Sequence, residues 1–372
     1  MPAGSGAQTP HDGAHMDAAL QAAAAVGHRT SPNPMVGAAL VRSGEVVAVA
    51  AHHRAGAPHA EMNVLAMVDG PATDMELFIT LEPCCHEGRT PPCTDAIIAA
   101  RPQRCVVAMI DPNPKVSGRG VAALREAGIP VDVGVREQDA RRLNEFFIKH
   151  ITTGLPFVTA KFAMSLDGRI ATHAGQSHWI TSEESRRRVH GLRHAHDAIL
   201  VGANTVIRDN PNLTTRLEDG GRSPLRIVVD SRMRVGPEAR IFHQKVGGVV
   251  VATTERARAD RVQEFEDRGI TVVVLGSDDG RVRLDALLGY LGRREMISLL
   301  IEGGSSVHGS AFDGGLVDKV VAFVSPRIIG GFDAPGAVGG RGVEDLADAL
   351  LLDEVVVETV GTDLVVTGYC RH

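Results

Sequence analysis

The sequence has few of the features that mark several common protein classes. Only 3% of its 372 residues are aromatic, although 44% are hydrophobic, so alanine and aliphatic side chains must fill its cores. No segment approaches the roughly eighteen consecutive apolar residues of a membrane-spanning helix, which argues against membrane insertion. The net charge of −6 lacks the basic excess typical of a nucleic-acid surface, so nucleic-acid binding is not expected.

Cysteine is also scarce, and its pattern does not suggest a disulfide framework. The chain has five cysteines, an odd number, and three of them lie close together in sequence. This usage indicates a reducing compartment, and we predict a cytoplasmic protein. Residues 1–14 lack the basic start and apolar run of a secretory signal, so we predict a disordered extension there.

Three short segments in the first hundred residues together predict a catalytic zinc site. They are Pro32-Asn33-Pro34, His59-Ala60-Glu61 and the segment from Pro83 to Cys93. His59, Cys84 and Cys93 supply three ligands and leave a fourth position for water, whereas a structural zinc is closed by four protein ligands. Glu61 follows His59 in the H-x-E arrangement of zinc deaminases, in which the Glu moves protons and is not a ligand.

The spacing of the two cysteines departs from the commonest deaminase pattern. That pattern ends in P-C-x-x-C, which would put the second cysteine at Glu87, whereas the next one in the loop is Cys93. Between them, Gly88, Thr90, Pro91 and Pro92 predict a loop that could return the chain to the metal. Cys85 is assigned to packing, because adjacent side chains diverge and cannot easily share a metal with Cys84.

Apolar runs and turn residues predict two domains of the α/β class. Helices and strands alternate from Met16 to a helix at Asp139–His150, which is typical of an α/β domain. A Thr-Thr-Gly-Leu-Pro segment at 152–156 interrupts this series, so we predict a first domain over 15–150 and a second over 156–372. In the second domain, Lys319–Ile329 and Glu354–Gly368 are predicted as longer antiparallel strands.

Polar residues follow several predicted strands of the second half, where open α/β sheets bind ligands. The strand Ser298–Ile301 leads into Glu302-Gly303-Gly304-Ser305-Ser306, a glycine turn before a helix that could bind a phosphate. The carboxylate of Glu302 is better suited to the hydroxyl or ring N–H groups of a substrate. This pattern predicts a nucleotide or phosphate pocket and leaves the reaction open.

Motifs in both halves resemble one enzyme family. The N-terminal half contains PNPMVG (Pro32–Gly37), HHRAGAPHAE (His52–Glu61) and LEPCCHEGRTPPC (Leu81–Cys93). The C-terminal half contains KFAMSLDGR (Lys161–Arg169), SHWITS (Ser177–Ser182), AILVGANTV (Ala198–Val206), DNPNLTTR (Asp209–Arg216), IVVDS (Ile227–Ser231) and EGGSS (Glu302–Ser306). From about Met16 onward, the chain resembles the bifunctional deaminase/reductase family of riboflavin biosynthesis.

The resemblance implies a fold and a set of site residues for each half. The N-terminal domain would have the three-layer α/β/α cytidine-deaminase fold, and the C-terminal α/β domain would resemble dihydrofolate reductase and use NADPH. One zinc ion per chain would bind His59, Cys84 and Cys93, with Glu61 as the catalytic proton shuttle. The residues implied for NADPH are Met164, Trp179, Thr205, Asp209, Ser231, Gly304, Ser305 and Ser306. The residues implied for substrate are Asn33, Lys161, Ser177, Arg193, Leu213, Arg216 and Glu302.

The resemblance also implies two sequential reactions. The first is the zinc-dependent hydrolytic deamination of 2,5-diamino-6-ribosylamino-4(3H)-pyrimidinone 5′-phosphate. The second is the NADPH-dependent reduction of the ribosyl side chain of 5-amino-6-(5-phosphoribosylamino)uracil to ribityl. The expected partners are therefore small phosphoribosyl pyrimidines, with neither nucleic acid nor membrane, and the resemblance favours a homo-oligomer.

Two alternatives remain open at the level of sequence. A nucleic-acid deaminase would share the H-x-E motif, but the net charge of −6, the cysteine spacing and the second half count against it. A nucleotide-sensing protein with a structural zinc would need a fourth protein ligand, for which His86 is the nearest candidate.

Overall fold

The computed structural model describes residues 11–85, 91–218 and 220–371. The chain forms two compact units that divide after Gly154, whose φ of 73° ends the preceding helix in the left-handed region. Within the described residues, no helix is both long and apolar enough to cross a membrane.

The N-terminal unit is built on a five-stranded sheet of order β2-β1-β3-β4-β5. Its strands are β1 (Gly37–Arg42), β2 (Glu45–Ala51), β3 (Glu76–Ile79), β4 (Arg104–Val107) and β5 (Val131–Val133). Its helices are α1 (Asp12–Val26), α2 (Ala60–Leu65), α3 (Cys93–Ala100), α4 (Arg119–Glu126), α5 (Glu137–Leu143) and α6 (Glu145–Thr153). Strand β1 is antiparallel to β2 and β3, whereas β3, β4 and β5 are parallel. Every residue of β1 before Arg42 is buried, as expected for a strand that helices cover on both faces.

Helix α1 packs tightly on the sheet and begins earlier than the sequence predicts. Its buried residues Met16, Ala19 and Ala23 share one face, and a Cβ on Gly37 would lie 1.9 Å from the Ala19 carbonyl oxygen. The prediction of a disordered extension over residues 1–14 is wrong for residues 12–14, which are helical. The cause is the buried Asp12 carboxylate, which accepts hydrogen bonds of 2.8 and 3.1 Å from Arg104. Residues 1–10 lie outside the described part.

The predicted helix at Asp139–His150 is divided into α5 and α6 at Asn144. The buried Asn144 side chain accepts a hydrogen bond from the Met35 N–H at 2.8 Å and donates one to the Met35 carbonyl at 3.0 Å. An asparagine that bonds to a distant backbone competes with the helix, so the helix breaks at this residue.

The C-terminal unit is built on a nine-stranded sheet of order β10-β9-β8-β7-β13-β6-β14-β16-β15. The sheet strands are β6 (Phe157–Ser165), β7 (Ala198–Gly202), β8 (Leu225–Val229), β9 (Val249–Thr253), β10 (Thr271–Val274), β13 (Ser298–Gly303), β14 (Lys319–Ser325), β15 (Leu352–Val360) and β16 (Asp363–Cys370). The short strands β11 (Ser277–Asp278) and β12 (Arg281–Val282) pair separately. The helices are α7 (Glu183–Ala195), α8 (Ala203–Asp209), α9 (Ala259–Asp267), α10 (Leu284–Gly292) and α11 (Ser305–Asp313).

Seven neighbouring strands of this sheet are parallel to one another, in the order β10, β9, β8, β7, β13, β6 and β14. At the edge beyond β14, β16 is antiparallel to β14 and β15 is antiparallel to β16. The alternating side chains of β7 enter different cores. Ala198 and Leu200 pack with residues of α10, whereas Ile199 and Val201 pack with residues of α8. Burial on both faces explains why this strand is continuously apolar.

The segment Glu354–Gly368, predicted as a single strand, is a hairpin of β15 and β16. The antiparallel pairing that was predicted for this region is present between β14 and β16 and between β15 and β16. The chain reverses at Gly361, whose φ of 61° favours glycine. The single-strand prediction missed this glycine turn.

Candidate active sites

The three predicted zinc ligands come together in the N-terminal unit. His59 is the residue before α2, Cys93 begins α3, and Cys84 follows β3. Their ligand atoms all lie within 4.8 Å of one another. His59 Nδ1 is 3.2 Å from Cys93 Sγ and 3.6 Å from Cys84 Sγ. Zinc–nitrogen and zinc–sulfur bonds of usual length give a tetrahedral edge of about 3.6 Å, so this donor set fits a zinc ion.

The ionisation of Cys84 also suits a metal ligand. The pKa of Cys84 is lowered to about 4, chiefly by the hydrogen bond from the Cys93 side chain and also by His59. The Cys93 N–H adds a further hydrogen bond to Cys84 Sγ at 3.3 Å. A thiolate is the form of cysteine that binds metal, so the surroundings favour the ligating state of Cys84.

Glu61 lies in the first turn of α2, next to this group. The side chain is buried, and its Oε2 has no hydrogen-bond partner among the described residues. Burial raises the pKa of Glu61 to about 7. A carboxyl group with such a pKa can both take up and release a proton near neutral pH, which is what a proton shuttle requires.

Asn33 is connected to the zinc ligands through His52. Asn33 Nδ2 lies 3.1 Å from His52 Nε2, and His52 Nδ1 lies 3.1 Å from the Pro58 carbonyl oxygen. Burial lowers the pKa of His52, so its ring is neutral, donates to Pro58 and accepts from Asn33. The ring also meets that of His59 edge to face at 5.3 Å. His52 is absent from the predicted site residues, although it begins one of the motifs that carry the resemblance.

The side chain of Glu82, two residues before Cys84, fixes the start of the cysteine segment through hydrogen bonds. This buried carboxylate accepts hydrogen bonds from the N–H groups of Asp111, Gly118 and Val121 at 2.8–3.1 Å. A Cβ on Gly120 would lie 2.1 Å from the Pro83 carbonyl oxygen, so the start of α4 approaches the segment closely. Residues 86–90 of the predicted loop, including the alternative ligand His86, lie outside the described residues.

The predicted reductase residues surround one large cavity in the C-terminal unit. The cavity has a volume of about 1130 Å³. Its lining includes Lys161, Ser177, Trp179, Arg193, Thr205, Asp209, Leu213, Arg216, Ser231, Glu302, Gly304, Ser305 and Ser306. Met164 is not among the described residues that line it, although Lys161, Phe162 and Ala163 of the same strand are.

A charged cluster lies inside this cavity. Arg193 donates to both carboxylate oxygens of Glu302, from Nε at 2.6 Å and from Nη2 at 2.7 Å. Burial raises the pKa of Glu302, but Arg193 and Lys161 outweigh it and the net shift is downward. Burial lowers the pKa of Lys161, and Glu302 opposes that shift. The Nε–Nη2 edge of Arg193, which was expected to bind substrate, is therefore engaged by Glu302.

Arg216 lies at the edge of the same cavity, where its Nη2 is 3.4 Å from His190 Nε2. Its side chain is exposed, and its backbone N–H donates to His190 Nδ1 at 3.3 Å. Burial, together with the cations of Arg193 and Arg216, lowers the pKa of His190 to about 4. A neutral His190 can accept the hydrogen bond from the Arg216 N–H. His190, like His52, is absent from the predicted site residues.

Of the residues expected to bind NADPH, Thr205, Ser231 and residues 304–306 follow the carboxyl ends of β7, β8 and β13, and Asp209 ends α8. Gly304 has a φ of 90° and turns the chain from β13 into α11. A Cβ on Gly304 would lie 3.4 Å from Thr205 Oγ1, so Gly304 lies next to the Thr205 side chain. Asp209 accepts a hydrogen bond from Ser177 Oγ at 3.0 Å, and Ser231 Oγ accepts one from the Val282 N–H at 3.2 Å.

Comparison with known proteins identifies the family. Residues 156–366 match the model of the RibD C-terminal domain, and residues 10–109 match the zinc-binding region of cytidine and deoxycytidylate deaminases. The riboflavin biosynthesis protein RibD of Aquifex aeolicus (strain VF5) is 41% identical over 337 residues, which cover 91% of this chain and 92% of that protein. The chain belongs to the RibD family.

Two solved RibD-type structures superpose on nearly the whole chain. Acinetobacter baumannii RibD is 32% identical, with a TM-score of 0.87, and covers 97% of this chain and 99% of its own. A diaminohydroxyphosphoribosylaminopyrimidine deaminase/5-amino-6-(5-phosphoribosylamino)uracil reductase from Thermotoga maritima is 35% identical, with a TM-score of 0.84 and the same coverage.

RibD membership confirms the predicted α/β fold class, with a cytidine-deaminase-like domain followed by a reductase domain. It also confirms a bifunctional enzyme of riboflavin biosynthesis, both a hydrolase of the deaminase type and an oxidoreductase. The cofactors are zinc in the deaminase domain and NADPH in the reductase domain, and the substrates are small molecules.

Proposed function

We propose that residues 15–150 deaminate 2,5-diamino-6-ribosylamino-4(3H)-pyrimidinone 5′-phosphate. We further propose that residues 156–372 reduce the ribosyl group of the product, 5-amino-6-(5-phosphoribosylamino)uracil, to ribityl. The observation that carries the proposal is the pairing of a His59–Cys84–Cys93 donor set with the buried carboxyl group of Glu61. The name of the Thermotoga maritima protein, which describes both steps, supports the choice of substrates.

In the deaminase step, a zinc ion held by His59, Cys84 and Cys93 would supply a Lewis acid that makes water more acidic. Glu61 takes a proton from the attacking water and passes it to the departing ammonia. Asn33, held by His52, donates to the pyrimidine. The pKa of about 7 for Glu61 supports this double role, because the group must be ionised for the first transfer and protonated for the second.

In the reductase step, NADPH would supply the hydride. Lys161 and Glu302 hold the ribosyl part of the substrate, with Ser177 and Leu213 beside it. Arg193 orients Glu302 through its two hydrogen bonds. Arg216 binds the phosphate, since its guanidinium group is exposed to the cavity and permanently charged. Trp179, Thr205, Asp209, Ser231 and residues 304–306, which line the cavity, contact the cofactor.

One variant separates the two halves of this proposal. Glu61→Gln keeps the shape of the side chain but cannot accept a proton, so deamination should fall by about 10²–10⁴-fold or more. The variant should still oxidise NADPH at the parent rate when it is supplied with the deaminated uracil. Loss of both reactions in a folded variant would refute two independent sites, and full deamination would refute the role of Glu61.

We also propose that the protein is a cytoplasmic homo-oligomer that binds neither nucleic acid nor membrane. None of the five cysteines forms a disulfide, which supports a reducing compartment. The edge strand β15 exposes Val355, Val356 and Val357, and Phe332 is 98% exposed. Exposed apolar residues of this kind are typical of subunit contacts. Light scattering should find more than one chain per particle, and Val356→Glu should reduce that number.

A further inference from the structure

The cavity of the C-terminal unit is rich in cations, although the chain as a whole is acidic. Among the residues that the structure describes, nine lysines and arginines line this cavity but only three acidic residues do. The whole chain, by contrast, has a net charge of −6. The function proposed above uses three of the nine cations, namely Lys161, Arg193 and Arg216. The other six have no role in it.

Two of these six cations, Arg232 and Arg281, lie on either side of a residue that is expected to bind NADPH. Arg232 follows Ser231 at the end of β8, and Arg281 begins the short strand β12. The Val282 N–H donates to Ser231 Oγ at 3.2 Å, and this hydrogen bond holds β12 against the end of β8. Both arginines are exposed, and neither guanidinium group has an ion-pair partner among the described residues. Their positive charges are therefore available to a ligand in the cavity.

The order of the strands assigns this pair to the adenosine end of the cofactor. Lys161 lies on β6, and Glu302 lies on β13. Thr205 follows β7, and Ser231 follows β8. These four strands are consecutive neighbours in the sheet, about 4.8 Å apart, in the order β6, β13, β7 and β8. The nicotinamide must lie beside the substrate to transfer a hydride, so it belongs next to Lys161 and Glu302. The remainder of the cofactor then extends across β7, and its adenosine part reaches Ser231.

The turn after β8 has the charge that suits NADPH rather than NADH. The two cofactors differ only by a phosphate on the 2′-hydroxyl group of the adenosine. Sites that prefer NADH commonly present a carboxylate to that hydroxyl group, whereas an arginine accommodates the phosphate. The acidic residue of this turn, Asp230, is only 2% exposed, and its carboxylate accepts a hydrogen bond from the Val235 N–H at 2.7 Å. The charged groups exposed beside Ser231 are instead guanidinium groups, which bind phosphate with paired, charge-assisted hydrogen bonds.

We propose that Arg232 and Arg281 bind the 2′-phosphate of NADPH and so give the reductase its preference for NADPH over NADH. This inference rests on the proposed contact between Ser231 and the cofactor. The phosphate of the pyrimidine substrate has the same chemistry and is the competing source. That phosphate is assigned above to Arg216, whose Nη2 lies 3.4 Å from His190 of α7 and not beside β8 or β12.

Three variants of the full-length protein test this inference. Arg232→Gln and Arg281→Gln each remove one of the two charges. Arg240→Gln is the matched control, because it removes the same charge from another exposed arginine of the cavity lining. The Arg240 N–H donates to the Asn210 side chain at 2.8 Å, which locates this arginine at the end of α8.

Two nucleotides that differ only in the 2′-phosphate isolate its contribution. Each protein is titrated calorimetrically with adenosine 2′,5′-bisphosphate and with adenosine 5′-monophosphate. A separate titration uses 5-amino-6-(5-phosphoribosylamino)uracil without cofactor. The value of kcat/KM is measured with NADPH and with NADH, and each protein is melted thermally.

Arg232→Gln and Arg281→Gln should each weaken binding of the bisphosphate by about tenfold or more, the effect of losing one charge-assisted hydrogen bond. Their affinity for the monophosphate should change much less, and their affinity for the uracil and their melting temperature should match the parent. The value of kcat/KM should fall with NADPH but not with NADH, so the preference for NADPH should fall by the same factor. Arg240→Gln should keep the preference of the parent.

Four results would overturn the inference. Parent-like affinity for the bisphosphate in both variants would mean that neither arginine contacts the 2′-phosphate. Equal losses with the two nucleotides, or an equal loss of preference in Arg240→Gln, would reduce the effect to a general attraction of the cavity for anions. A loss confined to the uracil would assign the two arginines to the phosphate of the substrate. A parent protein that oxidises neither NADPH nor NADH with the uracil would instead refute the proposed function.

Discussion

Replacing Glu302 by glutamine should both destabilise the C-terminal unit and abolish reduction. The substitution removes the anion that Arg193 contacts with two hydrogen bonds and leaves Lys161 beside an uncompensated cation. The Arg193 and Glu302 side chains are only 12% and 6% exposed, so solvent screens them little. Removing one partner of a buried pair costs about 3–5 kcal/mol. For a unit of this size, the melting temperature should fall by about 6–20 °C.

Scanning calorimetry and two activity assays test this prediction. The matched control is Glu358→Gln, which breaks a pair with Arg188 that has a similar distance of 2.7 Å but side chains 38% and 51% exposed. That control should cost less than about 1 kcal/mol. Deamination should persist in Glu302→Gln below its melting temperature. A Glu302→Gln protein that melts with the control would refute the argument that burial makes this pair important.

The stability difference between the parent and Glu302→Gln should also depend on pH. The pKa of Glu302 in the folded protein lies below its ordinary value of 4.5. Its contribution to the free energy of unfolding is therefore complete above about pH 4.5 and is lost as the pH falls through the folded-state pKa. Glu302→Gln should remove this acid-sensitive part, so the parent and the variant should converge in melting temperature at low pH.

Further predictions concern the metal, the deaminase core and acid stability. Elemental analysis should find one zinc ion per chain in the parent and in Cys85→Ser but little in Cys93→Ala, and full zinc in Cys93→Ala would exclude Cys93 as a ligand. Arg104→Met should lower the free energy of unfolding by about 3–5 kcal/mol, since Arg104 pairs with three carboxylates. Arg42→Met, which breaks the exposed Arg42–Asp74 pair, should lower it by less than about 1 kcal/mol. Equal unfolding midpoints in urea would contradict this ranking. Burial lowers the pKa of His196 from its ordinary value of 6.5 to about 4. Between these two values the unfolded chain binds a proton on this ring that the folded protein does not. Up to roughly 3 kcal/mol of stability is therefore lost by pH 4. Urea titrations should show a smaller acid loss in His196→Gln, and an identical loss would assign the effect to other groups.

The zinc site was predictable because its chemistry is local in sequence. His59 and Glu61 are separated by one residue, and each of the two ligands His59 and Cys93 lies at the start of a helix. Residue types, spacing and helix starts together restrict where the ligand atoms and the Glu61 carboxyl group can lie. The alternation of strands and helices was predictable for a similar reason, since strands such as β7 are apolar along their whole length.

Long-range pairings could not be predicted from one sequence. Glu302 could be recognised as a polar residue at the end of a strand, but its partner Arg193 lies 109 residues away. The bond between Asn144 and Met35 also spans 109 residues, and it divides a helix that periodicity predicts as continuous. Such contacts depend on which elements become neighbours, and propensity and pattern do not contain that information.

The position of β6 has a consequence for how the chain folds during synthesis. This strand begins the C-terminal unit, yet both of its neighbours, β13 and β14, are made much later, and the Val158 N–H donates to Asp318 across 160 residues. Contacts so distant in sequence form slowly and leave apolar strands exposed in the meantime. The first 154 residues contain all the strands of their own sheet and can fold as soon as they emerge from the ribosome. The reductase unit must wait for nearly the whole chain, so interrupted synthesis should yield an active deaminase that carries an aggregation-prone tail.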